Sequence, residues 1–313
     1  MTGSRPEASQ PAVRLRSGIG SPAEPAPPAE LRLRLPDGTS TFVRTWPAHR
    51  AGRGSILIVH GLGEHSGRYE HVAQRLAAVG LEVRAYDLRG HGHTDGARGS
   101  IPRDDALLDD LRCVFDDLAG DGAPPLLLGH SLGGTIAAAG TAGGWVAPRA
   151  LVLSSPALAL HVGAARAAVL RAARRLVPDR QFPNELPVDR LSHERAVVDA
   201  YRSDELVHDR ITPRLYGFLA DAGAAVRRGA ARLSVPTLLL VAGDDALVDS
   251  RGSRELAAAL APGVGTARFY DGLYHEVFNE REPDRARVLG DLTAWLDQRL
   301  SEPARGASPR GRL

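Results

Sequence analysis

Apolar and polar residues alternate along 31–35 (Leu-Arg-Leu-Arg-Leu), a Pro36-Asp37-Gly38 turn follows, and 41–46 resumes the extended pattern, which predicts a β-hairpin. The next apolar segments do not alternate. The stretches 55–59, 124–128, 150–153 and 236–242 are short continuous apolar runs, the pattern of strands covered on both faces. Extended segments over 81–86 and 266–270 complete the strand set. Between these runs, 69–79, 105–118, 251–260 and 283–299 carry apolar residues at helical spacing, and Gly80 ends the first of them. Strands alternating with helices predict a mostly parallel sheet with right-handed crossovers, flanked by helices.

One gap in the alternation, about eighty residues after the sixth strand, is too long for a plain loop. Helix-like segments at 162–176 and 211–226 predict a helical cap, or lid, inserted there. Within 162–176 the apolar and arginine positions separate into two faces. An ordinary solvated arginine face is the preferred reading, and contact with an anionic lipid surface is the alternative. The expected organisation is a disordered tail (1–29), a first core part (30–155), the cap (156–234), a second core part (235–300) and a flexible polar tail (301–313).

Composition narrows the function classes. The chain has 313 residues, 43% of them hydrophobic, and a formal net charge of +2. All 39 basic residues are arginine, but the 37 acidic residues are interleaved with them, which argues against a nucleic-acid partner. The single Cys113 excludes an intramolecular disulfide and a zinc cluster of cysteines. No apolar run reaches the length of a membrane span, and no hydrophobic segment follows the early arginines Arg5, Arg14 and Arg16, so a cytoplasmic location is expected.

The chemistry concentrates at Gly129-His130-Ser131-Leu132-Gly133. A buried-strand run precedes it and a small-residue helix start follows it. That context predicts a sharp turn with Ser131 at its apex, and glycines where a side chain would collide with the neighbouring backbone. The backbone N–H of Leu132 then stands at a helix N-terminus, suited to an oxyanion. A serine hydroxyl needs a base, and the base needs a carboxylate to fix its tautomer. After such a turn the acid comes before the histidine in the chain. His275 is the only histidine in the last quarter of the sequence, and Asp244, Asp245 and Asp249 precede it. Asp245 is preferred because Ala246-Leu247-Val248 can tuck under the loop and turn its carboxylate inward, with Asp249 second. The loop after the third strand, with Gly61 and Gly63, supplies Leu62 N–H as the second oxyanion donor. His60 is read as a ring bracing that loop. His65 and His91 lack the carboxylate-rich surroundings of a metal site, so neither metal nor cofactor is expected.

His60-Gly61-Leu62-Gly63-Glu64-His65-Ser66-Gly67-Arg68-Tyr69, Asp87-Leu88-Arg89-Gly90-His91-Gly92, the Ser131 turn and Leu273-Tyr274-His275-Glu276 together resemble the monoacylglycerol lipase and lysophospholipase branch of the α/β-hydrolases, of the serine aminopeptidase S33 type. The resemblance runs over about residues 31–300, apart from much of the cap. It implies an α/β-hydrolase fold and a serine esterase acting on small single-chain lipid esters. It places the nucleophile on Ser131, the acid on Asp245, the base on His275 and the oxyanion donors on Leu62 and Leu132. It also implies a head-group role for Glu64 and Arg68, against which stands an internal ion pair bracing the loop. The Ala- and Arg-rich cap departs from the family, so acyl preference does not carry over. A short-chain carboxylesterase, an aminopeptidase-like hydrolase, an acyltransferase and a non-catalytic binding module remain as alternatives.

Overall fold

Strand β1 (Ala29–Arg34) pairs antiparallel with β2 (Ser40–Trp46), Leu31 opposite Val43 and Leu33 opposite Thr41, as the alternating pattern predicts. The computed structural model describes residues 27–50 and 52–301. The two expected tails therefore lie outside the described residues except at their inner ends, where Ala29 opens β1 and Ser301 closes the last helix.

β3 (Ser55–Val59) leads through a 3-10 turn (Ser66–Tyr69) into α1 (Glu70–Ala78), then β4 (Glu82–Tyr86) and α2 (Ala106–Ala119). β5 (Leu126–His130), α3 (Leu132–Ala142) and β6 (Leu151–Ser154) follow. The chain then leaves the sheet. It forms α4 (Ala164–Leu176), β7 (Phe182–Pro183), α5 (Arg195–Ser203), β8 (Arg210–Ile211) and α6 (Pro213–Arg228). It returns through β9 (Thr237–Ala242), α7 (Arg251–Ala259), β10 (Gly265–Tyr270) and α8 (Asp284–Ser301). The eight-stranded sheet runs β1-β2-β4-β3-β5-β6-β9-β10 and is parallel from β4 to β10. This is the α/β-hydrolase fold.

The continuous apolar runs serve two cores. Ile56, Ile58, Leu126, Leu128, Leu238 and Leu240 face α1 and α8 through Val72, Leu76, Val288 and Leu292. Leu57, Val59, Leu127, Leu239 and Val241 face the other side, with Leu107, Leu111 and Val114 of α2 and Ile136 of α3. Residues 56–59, 126–128, 151–153 and 237–242 are buried throughout because the pleat sends successive side chains to opposite covered faces.

The segment between β6 and β9 is helical. α6 is anchored: Thr212 Oγ1 accepts the Leu215 N–H, Pro213 opens the helix, and Leu215, Phe218 and Val226 are buried. α4 has no buried residue. The sequence pattern missed α5, whose buried anchors are Val198 and Tyr201, and the two-residue β7–β8 pair. Among the described residues no helix is long and apolar enough to cross a membrane.

Candidate active site

β5 delivers Ser131 in the left-handed region, at φ 52° and ψ −117°, and α3 begins at the next residue. Such a backbone costs on the order of 1–3 kcal/mol and persists only where its surroundings impose it. Here they do. Ser131 N–H donates to Ser154 O at 3.0 Å, and Ser131 O accepts from Thr135 N–H at 3.1 Å and Ala157 N–H at 3.0 Å. A Cβ on Gly129 would collide with Gly133 O, one on Gly133 with Val59 O, and one on Gly134 would lie 2.8 Å from Pro156 Cβ. The glycine spacing is thus a steric requirement of the turn.

His275 sits in the loop after β10 and Asp245 in the loop after β9. The structure brings them together: His275 Nδ1–H donates to Asp245 Oδ2 at 2.7 Å, with both side chains almost wholly buried. Asp245 Oδ1 accepts the N–H groups of Leu247 at 2.9 Å and Val248 at 3.0 Å, the inward turn expected from Ala246-Leu247-Val248. Burial opposes ionising Asp245, but His275 and these N–H groups outweigh it and hold the carboxyl below its ordinary range. Burial likewise opposes charging His275, and Asp245 reverses the balance and raises its pKa. Asp249 instead caps and pairs with Arg251, and Asp244 pairs with Arg190 at 2.9 Å.

The His275 ring lies 4.7 Å, centroid to centroid, from the ring of His130, the residue before Ser131. Burial, with His275 as neighbour, pushes the His130 pKa down to about 4, so this second ring is neutral near pH 7.

The loop after β3 closes on the same point. A Cβ on Gly61 would stand 3.2 Å from Ser131 Cβ. Neither Leu62 N–H nor Leu132 N–H has an acceptor among the described residues. His60 braces the loop, donating from Nδ1 to Gly61 O and accepting the Leu88 N–H at Nε2, each at 2.8 Å. Glu64 and Arg68, the residues with two readings, are turned on each other at 2.7 Å, Glu64 buried and the Arg68 side chain 10% exposed. Glu64 Oε1 also takes Gly61 N–H at 2.6 Å and Tyr69 OH at 2.8 Å. That is the bracing arrangement, and a head group would have to displace these partners. Arg68 further grips both oxygens of Glu276, at 2.6 and 2.8 Å. Glu276 stood in the sequence motif without a role, since nothing local marks it as the partner of a residue 208 positions away.

Between Leu62 and α4 lies a mostly apolar cavity of about 430 Å³, lined by Val169 and Leu170 of α4, Phe182, Leu219 of α6 and Leu247.

Residues 50–282 match the family model described as serine aminopeptidase, S33. The chain belongs to that family of α/β-hydrolases, in its monoacylglycerol lipase branch. Among similar proteins, a monoacylglycerol lipase of Mycolicibacterium smegmatis is 37% identical over 84% of this chain and 95% of its own. Phospholipase YtpA of Bacillus subtilis is 32% identical over 81% of this chain and 98% of its own. The crystal structure of Paleococcus ferrophilus monoacylglycerol lipase superposes with a TM-score of 0.77 at 31% identity, covering 83% of this chain and 99% of that one.

Proposed function

We propose that the protein is a serine esterase that cleaves single-chain lipid esters, monoacylglycerols or lysophospholipids, through an acyl-enzyme. The observation that carries this reading is the buried His275–Asp245 pair beside a strained serine turn, under an apolar cavity. Asp245 occupies Nδ1 of His275, which leaves Nε2 as the nitrogen that accepts the Ser131 proton. Ser131 Oγ attacks the ester carbonyl, and the Leu62 and Leu132 N–H groups receive the developing oxyanion. Each such donor is worth roughly 3 kcal/mol in comparable sites. The imidazolium, stabilised by Asp245, returns its proton to the leaving alcohol. Water then enters, loses a proton to His275, attacks the acyl carbon and releases the fatty acid and Ser131. The acyl chain lies in the cavity walled by α4, Phe182 and Leu219.

The names of similar proteins support both substrate classes, a monoacylglycerol lipase and a phospholipase. The apolar lining suits an acyl chain more than a peptide. Transient contact with a lipid surface is part of the same reading. α4 exposes Val169 and Leu176 among its arginines, and Phe182 is exposed beyond it.

Purified Ser131→Ala is expected to lose at least 1,000-fold in turnover of monoacylglycerols and p-nitrophenyl esters, and to lose labelling by a fluorophosphonate. Wild-type turnover in that variant would overturn the reading. A panel of monoacylglycerols, lysophospholipids, simple esters and aminoacyl amides ranked by kcat/KM selects among the activities.

A further inference from the structure

We propose that Glu276, Arg68 and Glu64 form a buried positioning chain that ties the His275 loop to the oxyanion turn and leaves one uncompensated negative charge beside the imidazole. The inference rests on His275 being the base. Its mechanical part follows from connectivity. Arg68 spans Glu276, the residue after His275, and Glu64, whose other oxygen holds Gly61 N–H one residue before Leu62. A rigid guanidinium fork therefore sets the spacing between the base and one oxyanion donor, groups that approach the substrate from different segments. The chain is held from outside as well. Asn279 Nδ2 donates to Glu276 Oε2 at 2.7 Å, Glu276 N–H donates to Leu191 O at 2.8 Å, and Tyr201 of the cap lies under the Arg68 guanidinium, 4.8 Å from ring centroid to Cζ.

The electrostatic part follows from the charge count. Burial opposes ionisation of Glu64, yet Arg68, His130 and His60 bring its pKa down to about 2. Burial opposes ionisation of Glu276 too, and Arg68 outweighs it. With Arg68 charged, two carboxylates face one guanidinium and one negative charge is left over. The groups around His275 are Asp245 from the β9 loop, Glu276 on its own loop, Glu64 and Arg68 from the oxyanion side, and neutral His130 at the end of β5. Glu280 is taken up by Tyr274 N–H and by His193 of the cap. The surplus carboxylate thus acts on the imidazolium in the same sense as Asp245, in a site where water does not screen it.

The test is the pH dependence of kcat/KM on a soluble ester. In Glu276→Gln the acidic limb, which reports loss of the free base, is expected to move down by roughly 1 pH unit. Plateau kcat should fall about tenfold and KM should change less than twofold, because the lost charge acts on the imidazolium of the transition state. Glu276→Asp keeps the charge and shortens the reach. It should lower kcat while leaving the limb at its wild-type position. Should Glu276→Gln fail to fold, Glu64→Gln makes the same charge change from the turn side, and a smaller shift in the same direction is expected. A limb unmoved in the folded Gln variant overturns the proposal, whatever happens to the rate. Failure of the base assignment would look different: His275→Ala would keep its turnover.

Discussion

Around Ser131 the core loops bury Glu64, Asp87 and Glu276, whereas α4, across the cavity from Leu62, buries none of its residues. On the core side, Asp87 takes the N–H and Oγ of Ser66 and the N–H of His93. His60 spends both ring nitrogens on backbone, and Glu64 is enclosed by three donors. Removing one member of such a cluster strands a desolvated partner, which costs more than the bond itself was worth. On the cap side, Arg166 meets Glu185 with both side chains 62% exposed, a pair that contributes little. The candidate site is thus held by over-determined loops, whereas α4 is tied down chiefly through Arg174, which bonds Asp104 and Asp221. A fold built this way can change what it binds without disturbing how it reacts.

The contrast can be broken at three points. The largest expected effect is on the core side: Asp245→Asn should lower kcat about 10⁴-fold with little change in melting temperature, because His275 would lose its fixed tautomer. Steady-state ester hydrolysis beside a thermal melt checks this, and a loss under tenfold would mean that another carboxylate orients the ring. Next is Gly133→Ala, whose Cβ meets the backbone of β3. A cost of about 3 kcal/mol is expected, a fall of roughly 5–10 °C in Tm, from backbone collision alone. A Tm within 2 °C of wild type would show that the turn relaxes more readily than its crowding implies. The smallest effect belongs to the cap. Leu170→Trp narrows the cavity at a half-buried site. It should reduce kcat/KM for long-chain relative to short-chain monoacylglycerols about tenfold, with Tm almost unchanged. Equal losses for both chain lengths would remove the cavity from the acyl reading.

The same contrast governs what could be read from the residues. The strands of the central sheet were legible because burial on both faces demands continuous apolar runs, and the Ser131 turn because its glycines answer to steric contacts a few residues away. Asp245 was distinguishable from Asp249 only through the apolar residues that follow it, and the structure turns its carboxylate inward as that reasoning expects. Boundaries moved where caps intervened: Thr212 starts α6 two residues later than periodicity suggests, and a 3-10 turn precedes α1. α5 escaped notice because two buried residues, Val198 and Tyr201, make too sparse a stripe. The Glu64–Arg68–Glu276 chain was half visible. Glu64 and Arg68 are four positions apart and suggest each other, but Glu276 joins them only through the fold.

Five backbone bonds join the segment 156–234 to the rest of the described chain: Ala157 N–H to Ser131 O at 3.0 Å, Asp249 N–H to Ala159 O at 3.0 Å, His208 N–H to Gly63 O at 3.0 Å, Thr212 N–H to Gly99 O at 2.9 Å, and Glu276 N–H to Leu191 O at 2.8 Å. Two fall at the entry of the segment, on Ala157 and Ala159, three fall on the stretch from Leu191 onward, and none falls on α4. Residues 164–180 are therefore the natural splice unit. Transplanting that stretch from another hydrolase would exchange one wall of the cavity beside Leu62 and leave every one of these seams intact.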